Sequence, residues 1–152
     1  MTRPPHRYPA LTGLVALGGA VGSAARYGVA LALPDAARTG GWPLATLAVN
    51  VVGAFVLGWL LEALGRRGPE TSRLRRLRLG IGTGVLGGFT TYSSLALETE
   101  RLLAGGATGA ALGYVAVTLV VGTAACVTGI ALGARRPAAR RSNAARSRAR
   151  RP

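Results

Sequence analysis

Asn50 and Thr46 stand one helical turn apart in an otherwise apolar run, so they share a face. Thr90, Thr91, Tyr92, Ser93 and Ser94 follow a Gly87-Gly88 pair inside a second such run. Arg26 interrupts a third, and Tyr114 and Thr118, again one turn apart, mark a fourth. Apart from Arg26 these are neutral groups that donate hydrogen bonds. A small, strongly hydrated anion needs donors of this kind to replace its water, and a fixed charge would trap it. The chemistry on offer is therefore that of an anion path, although composition does not name the anion. Two residues admit a second reading. Asn50, costly in apolar surroundings unless paired, would serve either as an interhelical hydrogen bond or as a pore-lining amide. Arg26 would be either a snorkelling side chain near a helix end or a structural or anion-attracting charge facing a vestibule.

Catalysis finds little support. His6 is the sole histidine and falls in the basic, proline-rich residues 1–10. The five acids, Asp35, Glu62, Glu70, Glu98 and Glu100, fall at expected loops or helix ends. With no acid expected at mid-membrane, a proton-coupled exporter and a cation channel lined by acid rings are both disfavoured. Cys126 stands alone in an apolar run, which excludes a disulfide within the chain and a cysteine metal cluster.

The elements that must position these groups are membrane helices. Apolar runs cover residues 11–33, 43–64, 79–97 and 107–133, together a channel domain over 11–133. The first, at 1.5 Å per residue, reaches roughly 35 Å, enough to span a bilayer. It is also too long for the apolar core of a secretory leader. Gly18 and Gly22 form a small-xxx-small pair that lets backbones approach. Residues 34–42 read as a loop from their Pro, Gly and Asp, with Trp42 suited to the interface and Pro43 to a helix start. The third run holds the Gly-Gly and hydroxyl cluster. In lipid, irregular backbone is tolerated only where protein buries it or water lines it, so this run is expected to be a helix broken in its middle, exposing carbonyls and amides that bind ions.

All nineteen basic residues are arginine, and the formal charge is +14. A nucleic-acid role is not inferred, because the arginines lie between spans and in the tail, residues 134–152, which reads as a disordered cytoplasmic segment. With four spans, the N-terminal end, the loop at 65–78 and the tail share one side and hold two, six and eight arginines, whereas the other two loops hold Arg38 and Arg101. Sixteen against two sets both termini in the cytoplasm by the positive-inside rule. The tail would also meet anionic lipid heads, although a simple topology anchor is the plainer role.

The combined pattern closely resembles the Fluc (CrcB) fluoride channel family: Gly18-Gly19-x-x-Gly22-x-x-x-Arg26-Tyr27, Thr46-Leu47-x-Val49-Asn50-x-x-Gly53-x-Phe55-x-x-Gly58, and Gly84-x-x-Gly87-Gly88-Phe89-Thr90-Thr91-Tyr92-Ser93. The resemblance implies an inverted, antiparallel dimer of four-helix subunits in the cell membrane. It implies two fluoride pores that let cytoplasmic fluoride leave passively and reduce its toxicity, with a structural sodium ion at the centre. By motif position, the sodium would be held by the backbone carbonyls of Gly87 and Thr90 from both subunits. Asn50, Thr46, Tyr92, Ser93, Tyr114 and Thr118 would line the anion path, and Arg26 matches the arginine that ends the first helix. The family places two phenylalanines three apart after the Thr-Thr, whose ring edges can face an anion. Here those positions are Tyr92, which keeps a ring, and Leu95, which has none. An antiparallel homodimer also requires one chain to insert both ways, against the arginine bias. The chain is thus expected either as a homodimer or as one subunit of an inverted heterodimer with an oppositely oriented paralogue. A small multidrug-type transporter and a non-conducting packing protein are the competing classes.

Overall fold

A computed structural model describes residues 9–33 and 41–135. The expected arginine-rich tail beyond Arg135, residues 1–8 and the loop around Arg38 lie outside the described residues. Every element among the described residues is helical: α1 (Pro9–Ala32), α2 (Leu44–Gly65), α3 (Ser72–Leu77), a wider π-wound stretch (Arg78–Leu86), α4 (Gly87–Phe89), α5 (Tyr92–Ala104) and α6 (Thr108–Gly133). Three of them, α1, α2 and α6, are long and apolar enough to cross a bilayer.

The third span is assembled from pieces. α3, the π-wound stretch and α4 run on without interruption to Phe89. Thr90 and Thr91 then take extended backbone (ψ 156° and 118°), and α5 begins at Tyr92. Thr91 caps α5 through its hydroxyl, which accepts from the Ser94 N–H at 3.1 Å. This is the ordinary N-cap device, and it starts a new helix where the old one ends.

Glycines set the packing. An added Cβ on Gly18 would meet the Gly80 carbonyl, and one on Gly22 would meet the Val85 carbonyl and the Phe89 amide. The contacts advance together along both segments, so α1 and the 78–89 segment run in the same direction. On the other side, Gly58 abuts the Cys126 backbone, Gly129 the Phe55 carbonyl and Gly133 the Trp59 carbonyl, so α2 and α6 also run together. Such backbone contact is how helices associate in lipid, where no hydrophobic force separates them from acyl chains. Leu17, Val21, Leu31, Leu112, Leu119 and Val120 stay exposed on the outside, as lipid-facing residues should. Gly22→Val is therefore expected to separate α1 from the third span. Overpacking of this kind costs about 1–3 kcal/mol or more, to be read as a lowered melting temperature and a lost monodisperse peak in size exclusion.

Candidate functional site

The break at Thr90–Thr91 is clasped by Asn50 of α2. The Asn50 Nδ2 donates to the Thr91 carbonyl at 3.0 Å, and the Thr91 N–H donates to Asn50 Oδ1 at 2.8 Å. The side-chain oxygen thus replaces the helical acceptor that the break takes from the Thr91 N–H, and the side-chain nitrogen adds a second bond across the same pair. The interhelical reading of Asn50 is realised, and one hydrogen of its NH2 group remains beyond the bond to Thr91.

The same rearrangement frees two carbonyls. In an unbroken helix the Thr91 N–H would bond to Gly87 and the Ser94 N–H to Thr90. Instead the first goes to Asn50 and the second to the Thr91 hydroxyl. Gly87 is exposed, and a Cβ there would meet nothing within 4 Å. The Thr90 hydroxyl and amide both turn back to the Leu86 carbonyl, at 3.0 Å each.

A second cluster lies on α5. Glu98 accepts from the Thr46 hydroxyl of α2 at 2.7 Å and from the Tyr114 hydroxyl of α6 at 2.7 Å, one to each carboxylate oxygen. Tyr114 is fully buried, and Trp42 meets its ring edge-on with centroids 6.2 Å apart. Thr118, also buried, turns its hydroxyl to the Tyr114 carbonyl of its own helix. Sequence reasoning placed Glu98 at a helix end. The structure puts it inside α5, between α2 and α6, because α5 runs on to Ala104. The signal was present in the spacing. Thr91, Ser94 and Glu98 fall at i, i+3 and i+7, one face of a helix.

A cleft of about 340 Å³ joins the two clusters. Thr46, Thr91, Ser94 and Glu98 line one part of it, and Ser23, Arg26 and Tyr27 of α1 line another. Arg26 therefore faces a cavity that also holds the Glu98 carboxylate. Ser93 is exposed and sits 3.2 Å from the Thr91 hydroxyl. Tyr92 stands apart, 81% exposed on the surface of the chain, whereas Leu95 is buried. The fold thus brings Arg26, Thr46, Asn50 and Tyr114 together through Thr91 and Glu98, and it leaves Tyr92 facing outward.

Fold and site together define a multi-pass, all-helical membrane protein with a polar cleft beside a broken span. The chain belongs to the family described as CrcB-like protein, Camphor Resistance (CrcB), whose model matches residues 13–130. Among similar proteins are "Fluoride-specific ion channel FluC 2" of Leifsonia xyli subsp. xyli, 50% identical over 121 residues that cover 80% of this chain and 81% of that one. "Fluoride-specific ion channel FluC 1" of Cutibacterium acnes is 45% identical over 132 residues, 81% of this chain and 91% of that one. "Fluoride-specific ion channel FluC" of Caulobacter vibrioides is 45% identical over 117 residues, covering 77% and 90%.

Proposed function

We propose that this chain is a fluoride-specific channel, not an enzyme, that lets cytoplasmic fluoride leave passively. The observation that carries the reading is the cleft: the hydroxyls of Thr46, Thr91 and Ser94 converge there with Arg26 beside the helix break that Asn50 clasps, in a chain 50% identical over 121 residues to a protein named for this activity. Arg26 attracts the anion to the cleft. The spare Asn50 N–H and the Ser94 and Thr46 hydroxyls replace its hydration. Glu98 is a resident anion that occupies the Thr46 and Tyr114 hydroxyls, so its two donors are those a permeating fluoride would use. Passage requires an exchange in which the carboxylate swings away or fluoride takes one donor at a time.

A structural sodium ion suits the Gly87 and Thr90 carbonyls. They are backbone oxygens released from helical bonding, and oxygen ligands are what a hard cation takes. These two oxygens, with the same pair from an inverted second copy, would hold it, and the bound charge would tie the two breaks together without being transported. The exposed Tyr92 ring suits the same arrangement, since it reaches outward to where a second subunit would sit.

The arginine bias favours a heterodimer with an oppositely oriented paralogue, both termini of this chain being cytoplasmic. The test is fluoride efflux from liposomes, followed with a fluoride electrode and a proton-insensitive driving force. The channel reading expects passive, fluoride-selective flux from this chain alone or from the pair. Robust flux from the lone protein, inserted in both orientations, would replace the heterodimer by a homodimer. Absence of flux from both preparations would overturn the channel.

A further inference from the structure

The charges around the end of α2 do not cancel, and the structure separates the arginines there into two classes. Arg66 Nε meets Glu62 at 2.6 Å, while Arg75 Nε and Arg78 Nη2 share Glu70 at 3.2 and 2.8 Å. Those two carboxylates are then used. Arg67, Arg73 and Arg76 are exposed and have no carboxylate partner among the described residues. The remaining described acids, Glu98 and Glu100, belong to α5 and lie toward the opposite end of the bundle.

The depth of this group follows from packing. α2 has 22 residues, or about 33 Å of rise, close to the roughly 30 Å hydrocarbon thickness of a bilayer. Its last turns, with Leu60 and Leu64, therefore reach the hydrocarbon boundary. α3 does not hang free in water beyond that point. Leu74 and Leu77 pack against Leu60, Leu64 and Leu86, which pins α3 beside the last turns of α2. Arg73 and Arg76 flank these leucines and stay exposed, at the depth where headgroup phosphates lie.

We propose that Arg67, Arg73 and Arg76 form a binding surface for an anionic phospholipid headgroup in the leaflet that meets this end of the bundle. Guanidinium suits the task, because its planar fork meets phosphate oxygens bidentately. Juxtamembrane basic residues gain from a negative leaflet surface within a Debye length. Glu70 has a defined part in it, since by holding Arg75 and Arg78 it limits the surface to the three unpaired arginines. The inference rests on the membrane placement of α2 and α3 and is independent of the transported ion.

The test uses the full chain in detergent micelles, titrated with phosphatidylglycerol or phosphatidylcholine, with retained lipid counted by native mass spectrometry. Flux is not measured, so its outcome is separate from that of the channel assay. Wild type is expected to retain phosphatidylglycerol about tenfold over phosphatidylcholine. The R67Q/R73Q/R76Q variant should fall to near parity, whereas Arg66→Gln, which removes a paired arginine, should keep the preference. Glu70→Gln releases Arg75 and Arg78 and should raise the preference above wild type, a gain that misfolding would not produce. Equal retention of both lipids by wild type would overturn the proposal. So would an undiminished preference in R67Q/R73Q/R76Q, which would move the lipid to the tail arginines, or displacement of the lipid by equimolar inorganic phosphate, which would make the ligand a free anion.

Discussion

Asn50→Ala is expected to lower fluoride flux by about 100-fold or more, each tenfold corresponding to ~1.4 kcal/mol. The size follows from what the side chain holds. Alanine leaves both the N–H and the carbonyl of Thr91 without the partners they now have at 2.8 and 3.0 Å. A buried backbone group left unsatisfied costs about 1–3 kcal/mol, and lipid offers no water to replace the bond. The break then has two ways to relax. The Thr91 N–H can return to the Gly87 carbonyl and rebuild the helix, or Thr91 can shift toward the cleft. Both move Ser94 and the freed carbonyls from their places, and the variant also loses the spare amide hydrogen. Efflux from proteoliposomes measures the loss, and thermal unfolding in detergent checks the matching drop in stability. Asn50→Asp separates positioning from charge. It keeps an acceptor for the Thr91 N–H but loses the donor and adds a negative charge. Flux should therefore be abolished, while only the part of the stability that rests on the Thr91 N–H returns. Flux retained by Asn50→Ala would show that the clasp is not needed to hold the path.

Glu98→Gln is expected to cut flux by about tenfold or more, equivalent to ~1.4 kcal/mol or more. The carboxylate takes one hydroxyl on each oxygen, from Thr46 and Tyr114. A carboxamide has a single oxygen, and its nitrogen can only donate, so one of the two hydroxyls loses its acceptor. Hydrogen bonds to a charged group are worth about 1.5–3 kcal/mol, more than the neutral bonds that replace them. Thr46 would then turn to the carbonyl of Trp42 or Pro43 just ahead of its helix, by the same backward turn that Thr118 makes to Tyr114 at 2.7 Å, and withdraw from the cleft. An opposite result, faster flux, would show that the carboxylate acts chiefly as a repulsive barrier. Thr46→Val with Glu98→Gln in a double-mutant cycle settles whether the two act through one another, and an additive result would show that they do not.

Much of this site was written in residue order. Gly-Gly followed by Thr-Thr announces a break because no continuous helix in lipid has reason to carry an N-capping pair at that depth, and the structure breaks the backbone at Thr90 and Thr91. The shared face of Thr46 and Asn50 follows from helical period alone. Glu98 shows the opposite case. Its place in the sequence puts it at a loop or helix end, just past the third apolar run. α5 continues to Ala104, and the carboxylate is drawn between two helices that sequence does not place side by side. Leu95 and Tyr92 differ in the same way. The family resemblance made them a pair, but three residues of helix point one inward to packing and the other out, 81% exposed.

By itself the sequence determined that the chain crosses a membrane in helices and where it breaks, since span length, glycine pairs and capping residues are local properties. Only the tertiary structure decided which partners the polar groups take. Asn50 lies 41 residues from Thr91, and Thr46 lies 52 from Glu98. Pairings at such separation depend on which glycine faces meet, Gly58 and Gly129 between α2 and α6, Gly18 and Gly22 against the third span. Backbones in contact leave little freedom in register, and the register sets which donor reaches which acceptor.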